Sequence, residues 1–359
     1  MEMKRSAVKG NSRNEVNRSI AILSRWNATC GVSLHAELIG QEFLNLGYNL
    51  KIFAPKIESA SRWWHHRIVR EDDGFFVKRC FEERDLNLSD GNLDEEVILS
   101  EDFDFLIVES YISLPYADIE KILPEVKKKA KVVAVIHEGS REDIEYSLEK
   151  FDKVIVFDER YKKMLGKIEN VEIIPYPCHP IVEGRRKFGE DGLKFFTFGR
   201  QPSQEYEDYF RVLDKLCERY NFTYHIIRSD GFIAFKRPWL IQERKRVYDV
   251  YPYLHAADIH LIPKGNAKRV VVSSTFYQCL GALTPVVVPN TRHFETLPEI
   301  NGVKPAVVYQ DVEDLEEKIV RLIEDEKFRE QVVSAARVYV ERNRSDRVAK
   351  RFIEVLNSI

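Results

Sequence analysis

Short β-branched apolar runs alternate with longer amphipathic stretches through most of this chain, and that alternation restricts its fold more than any other feature. An apolar run, a helix-length segment and a second apolar run make a βαβ unit, whose strands lie parallel beneath a crossing helix. "SIAILS" (Ser19 to Ser24) opens the series, "SLHAELIGQEFLNLG" predicts a helix ending at Gly47, and "NLKIFAP" the next strand. Between Lys56 and Ser100 the sequence is charged and aromatic and keeps neither period. The rhythm resumes with "DFLIVES", a helix over "ADIEKILPEVKKK", the strand "KVVAVI", a helix after Ser140 on the S-x-x-D spacing to Asp143, then "KVIVFD" and "VEIIPYP". "CHPIVEGRRKFGEDG" carries glycine, proline and charge without an apolar period, which marks a linker. A second series starts at "LKFFTFGR", passes a helix ending near Tyr220 and the strand "FTYHII", and reaches "DIHLIP" and "PVVVP"; from Asp311 onward the chain reads as helix.

This pattern predicts an α/β protein with two Rossmann-like parallel-sheet domains, 1–180 and 181–342, and a C-terminal helix over 343–359. A chain of 359 residues is long enough for two cores. Two such halves in tandem face a cleft between the carboxyl ends of their sheets, where open parallel sheets take ligands. The formal net charge of -3 argues against a dedicated nucleic-acid binder. Cys30, Cys80, Cys178, Cys217 and Cys279 form no C-x-x-C pair and have no histidine at zinc spacing, so they read as reduced thiols of a cytoplasmic protein. The basic, polar N-terminus leads into only a short apolar strand, and no apolar run reaches about 18 residues.

Several residues carry possible chemistry. Ser273, Ser274 and Thr275 stand between two valine runs and either cap a helix, with Thr275 and Gln278 at capping-box spacing, or open an anion cradle at a helix N-terminus; the two readings are compatible. Arg200, just past a strand end, fits a diphosphate or a surface salt bridge. His137 ends "VVAVI" and so belongs at the cleft, as a functional or a structural histidine. Gly31 lets backbone approach a ligand or simply makes a turn. Trp63, Trp64 and His65, in "SRWWHHRIVRED", suit packing, a sugar acceptor or peripheral contact with an anionic membrane.

Read in order, these stretches resemble the GT-B glycosyltransferases, in particular the large retaining family 4-like group that uses nucleotide-sugar donors. "RWNATCGVSLHAELIGQEFLNLGYNLKIFAP" is similar to that family's opening, "VVAVIHEGS" to its strand ending in histidine, and "IIPYPCHP" to the text before its linker. "FFTFGRQ" is similar to its strand ending in Gly-Arg, and "YPYLHAADIHLIP" and "CLGALTPVVVPN" to the segments that follow. The resemblance implies a nucleotide-sugar donor, a glycan, lipid or small-molecule acceptor, hexosyl transfer with retention, no metal and no cofactor. It implies that His137 and Arg200 are catalytic, and that Gly31, Gly199, Arg200, Ser273, Ser274, Thr275 and Gln278 bind donor. The C-terminal helix would cross back onto the first domain with Val348, Phe352, Ile353 and Leu356 inward. Three positions depart from the family pattern. Its two donor glutamates align with Val270 and Gln278, and its diphosphate lysine with about Glu205, for which Lys264 or Arg269 would substitute.

Overall fold

The computed structural model of this protein describes residues 18–60, 73–85, 87–89 and 91–359, so Trp63, Trp64 and His65 lie outside the described residues. The first series of apolar runs becomes β1 (Ser19–Leu23), β2 (Asn49–Pro55), β3 (Val77–Glu82), β4 (Asn92–Leu93), β5 (Phe105–Ser110), β6 (Lys131–Ile136), β7 (Lys153–Val156) and β8 (Val171–Ile173). They form one sheet in the order β4-β3-β2-β1-β5-β6-β7-β8. All neighbours run parallel except β3 and β4 at the edge. Parallel strands are covered on both faces and read as continuous apolar runs. Accordingly Ile20 to Leu23 and the whole of β5 are buried.

The second series becomes β9 (Leu193–Phe198), β10 (Phe222–Arg228), β12 (Ile259–Leu261) and β13 (Val286–Pro289), and the structure adds two strands that the sequence reading missed, β11 (Leu240–Arg244) and β14 (Val307–Tyr309). Their order is β11-β10-β9-β12-β13-β14, parallel throughout. Each sheet therefore grows outward from its first strand, then restarts on that strand's other side, at β1/β5 and at β9/β12. Crevices above the carboxyl ends at such points are the usual ligand sites of open α/β sheets.

The expected helix after Ser140 does not form; the stretch holds only single turns of 3₁₀-helix at Arg141–Asp143 and Leu148–Lys150. Its buried residues, Ile144, Tyr146, Leu148 and Phe151, are spaced mostly by two, which is not a helical face. Ser140 hydrogen-bonds Glu142 and caps nothing. Among its described residues, the unassigned region after Lys56 holds β3, β4 and the short helices Ile57–Ala60 and Glu95–Leu99, all too brief to show a period.

Three helices follow Asp311: Val312–Glu324, Glu326–Asn343 and Ser345–Asn357. The last returns to the first sheet and lies on helix Gly31–Asn45. Phe352 packs edge-on against Phe43 at 6.3 Å, and Ser345 Oγ donates to Glu42 Oε1 at 2.8 Å. Val348, Phe352 and Leu356 are buried as predicted; Ile353 is only partly buried, and Ala349 takes the remaining inward position.

Candidate active site

The loops that leave β1, β9, β10, β11 and β12 at their carboxyl ends meet in a cleft of about 340 Å³ between the two sheets. From the first half come Thr29, Cys30 and Gly31, at the N-terminus of the 15-residue helix Gly31–Asn45, and Glu37 in its second turn. The other half supplies Gly199, Arg200, Lys264, Ser274, Thr275 and Gln278. Residues far apart in sequence are thus brought together around one space.

Two glycines are required by geometry. Gly199 follows β9 with φ 145°, which only glycine adopts without strain. Gly31 lies where the halves touch: a Cβ there would sit 3.0 Å from Ser274 Cβ, and its carbonyl accepts from Tyr176 Oη at 2.7 Å. The close approach that Gly31 permits is therefore to the other half's Ser274.

Arg200 crosses the cleft and donates from Nη1 to Thr29 Oγ1 at 3.3 Å and from Nη2 to the Thr29 carbonyl. Lys264 stands near enough to Glu205 and Arg200 to feel both charges. Its ammonium is held below the usual lysine range by burial and by Arg200, against the pull of Glu205. Burial raises the Glu205 carboxyl, while the Gly265 N–H and Lys264 oppose that rise. Arg269, the other candidate to replace a missing lysine, is committed instead to Asp143 at 2.5 Å.

Ser273 is the N-cap of helix Ser274–Cys279: it is buried, and its Oγ accepts from Phe276 N at 3.4 Å. With Ser273 at the cap, Thr275 lies inside the first turn, so the expected Thr275–Gln278 capping box is absent. Ser274, Thr275 and Gln278 face the cleft; Ser273 supports them from below. Val270 is buried, its N–H donating to the Gly139 carbonyl at 2.9 Å, and is not among the lining residues.

His137 follows β6 with its side chain 9% exposed and is not among the residues lining that cleft. Its Nε2 lies 2.5 Å from Glu109 Oε2, and the other Glu109 oxygen is 2.8 Å from His35 Nδ1. Among the described residues, this is the group whose nitrogen and oxygen atoms, all within 4.8 Å, could also hold a metal ion. Burial would raise the Glu109 carboxyl, but the two imidazoles hold it down at about 2. Burial also keeps the His137 imidazole below its usual range, although Glu109 pulls the other way. Sequence reasoning overlooked Glu109 and His35. Their signal was a carboxylate near the end of the otherwise apolar "DFLIVES" and a histidine in step with Ile39 and Phe43 on one helix face.

No family model matches the sequence. Solved structures do. A glycosyltransferase from Rickettsia africae ESF-5 superposes with a TM-score of 0.66 at 13% identity, over 95% of this chain and 98% of that one. The N-terminal domain of Candida albicans trehalose-6-phosphate phosphatase gives 0.65 at 12% identity, over 98% of each chain. Anabaena HepE, solved in complex with UDP-glucose, gives 0.64 at 13% identity, over 95% and 100%. The two parallel sheets, their facing carboxyl edges and these neighbours together identify the architecture: the chain has the GT-B glycosyltransferase fold.

Proposed function

We propose that this protein transfers a hexosyl group from a nucleoside-diphosphate sugar to a glycan, lipid or small-molecule acceptor, with retention and without a metal ion. The observation that carries this reading is the convergence of Arg200 and Lys264 on a cleft that also receives the N-terminus of helix Gly31–Asn45. A departing diphosphate gathers negative charge, and preorganised cations with a positive helix end are what such a transition state needs. Gln278 would accept from a donor hydroxyl, and His137 would contact the transferred sugar. Residues 1–180 would serve as the acceptor lobe, 181–342 as the donor lobe and 343–359 as a strap between them. HepE, with UDP-glucose in its structure, is a neighbour in keeping with this reading.

A second reading, a non-catalytic binder of glycan, nucleotide or protein, draws on Val270: a buried valine takes the place of a carboxylate that the resembled family uses on its donor. Thermal shift tests the donor site, and sugar release from the shifting donor then separates an enzyme from a nucleotide binder. A nucleoside diphosphate at 100 times its dissociation constant stabilises the native state by about 2.7 kcal/mol. The expected result is a raised Tm with at least one of the uridine, guanosine, adenosine, cytidine and thymidine diphosphates, unchanged by EDTA and mostly lost in Arg200→Ala. No shift with any of the five favours the non-catalytic reading.

A further inference from the structure

We propose that Glu109 and His35 are positioning residues that lock His137 in one tautomer, with Nε2–H toward Glu109 and Nδ1 left as the ring's acceptor. Any effect of that acceptor on turnover rests on the glycosyl-transfer reading; the locked tautomer does not.

Glu109 is buried near the end of β5, His35 is buried on helix Gly31–Asn45, and His137 follows β6, which is β5's sheet neighbour. An ionised carboxylate only accepts, so each imidazole nitrogen that faces it carries a proton. His137 therefore presents Nε2–H at 2.5 Å and His35 presents Nδ1–H at 2.8 Å. The carboxylate, held ionised at about 2, keeps both bonds across the physiological range. Among the described residues His35 Nε2 has no hydrogen-bond partner, so Glu109 is the polar group that fixes this ring. The far side of the unit is filled by rings: Phe157 lies 5.4 Å from His35 and 5.0 Å from His137, and Tyr176 and Phe352 lie 5.3 and 5.8 Å from His35. These contacts hold the His35 ring in place. The backbone N–H of His137 donates to the Ser110 carbonyl at 3.0 Å, which anchors its main chain.

The same three residues could be read as a metal site, but the geometry favours protons. Glu109 places one oxygen on each imidazole, at 2.5 and 2.8 Å, too close for an ion between them, whereas a shared ion at about 2.0–2.2 Å from each ligand would push them apart.

Imidazole ¹⁵N NMR on the full-length protein near pH 7 tests the tautomer without any substrate. The expected His137 spectrum has a protonated Nε2 and a pyridine-like Nδ1. Glu109→Gln, which keeps the shape but can also donate, is expected to mix the tautomers and lower kcat at least about tenfold with the donor KM nearly unchanged. Should Glu109→Gln fail to fold, His35 supplies the comparison. His35→Asn keeps a donor near the Nδ1 position and is expected to preserve the spectrum and kcat, whereas His35→Leu is expected to lose both. A protonated Nδ1 in the unaltered protein, a spectrum indifferent to Glu109→Gln and His35→Leu, or a zinc-dependent spectrum reversed by EDTA would each overturn the proposal. The expected tautomer without sugar transfer from any donor would instead defeat the functional reading and leave the positioning intact.

Discussion

A Cβ on Gly139 would come within 2.3 Å of the Val270 carbonyl oxygen and 2.8 Å of Arg269 Cβ. The first of these is backbone and cannot rotate away, so the loop after His137 and the loop before Ser273 meet only because residue 139 lacks a side chain. Gly139→Ala is expected to cost about 1–3 kcal/mol, as overpacking typically does, and to lower Tm by several degrees in a scanning-fluorimetry melt. An unchanged Tm would mean that the two segments part freely. Gln278 offers a chemical test at the same scale. A charged acceptor is stronger than a neutral one by about 1 kcal/mol, so Gln278→Glu is expected to tighten nucleoside-diphosphate binding by up to about fivefold, or leave it unchanged. Weakened binding, measured by calorimetry, would remove Gln278 from the donor site. Both residues were visible in the sequence, but only one of these roles was: the polar Gln278 drew attention, whereas nothing local to "HEGS" distinguishes Gly139 from an ordinary turn glycine.

At the scale of elements, helix Ser345–Asn357 shows how far a periodic pattern can be carried. Its spacing of Val348, Phe352 and Leu356 dictates one apolar face, and that face is buried. Phe352→Ala is expected to destabilise by about 3–5 kcal/mol, the usual cost of truncating a buried phenylalanine, read as a lower urea midpoint with an unchanged m-value. A loss under 1 kcal/mol, against that typical range, would show that the helix is not bound to the rest of the fold. The stretch after Ser140 is the opposite case. Its S-x-x-D start imitates a helix cap, but the burial of Ile144, Tyr146, Leu148 and Phe151 follows the surface it crosses, and tertiary packing overrides a two-residue signal. Likewise Ser273, and not Thr275, became the cap of helix Ser274–Cys279. A cap is chosen by where the preceding backbone turns, which the run of three hydroxyls leaves open.

Over the whole molecule, burial governs the response to acid. The imidazoles of His179, His260 and His293 are held down, chiefly by burial, to about 4, about 3 and about 3. Below pH 6.5 the unfolded chain binds protons at these sites and the folded chain does not, so stability falls as pH falls, by about 1.4 kcal/mol per unit for each site. Glu109, held at about 2, acts in the same direction below its ordinary value of 4.5. Unfolding free energy is therefore expected to drop steeply between pH 6 and 4.5 and to change little from these groups above pH 7.5; a profile flat from 7.5 to 4.5 would contradict the burial of those histidines. Sequence alone determined the class of fold and most of its strands, though not β3, β4, β11 and β14, because a parallel βαβ unit writes its period locally, residue by residue. It also singled out Arg200, Gly31 and Gln278, which end or begin such units. The tertiary structure decided what these residues face: Arg200 reaching Thr29, Gly31 against Ser274, Lys264 beside Glu205, and Glu109 between two histidines. Each of these contacts joins residues from separate elements, and no local pattern records which carboxyl ends will meet once the sheets have closed on each other.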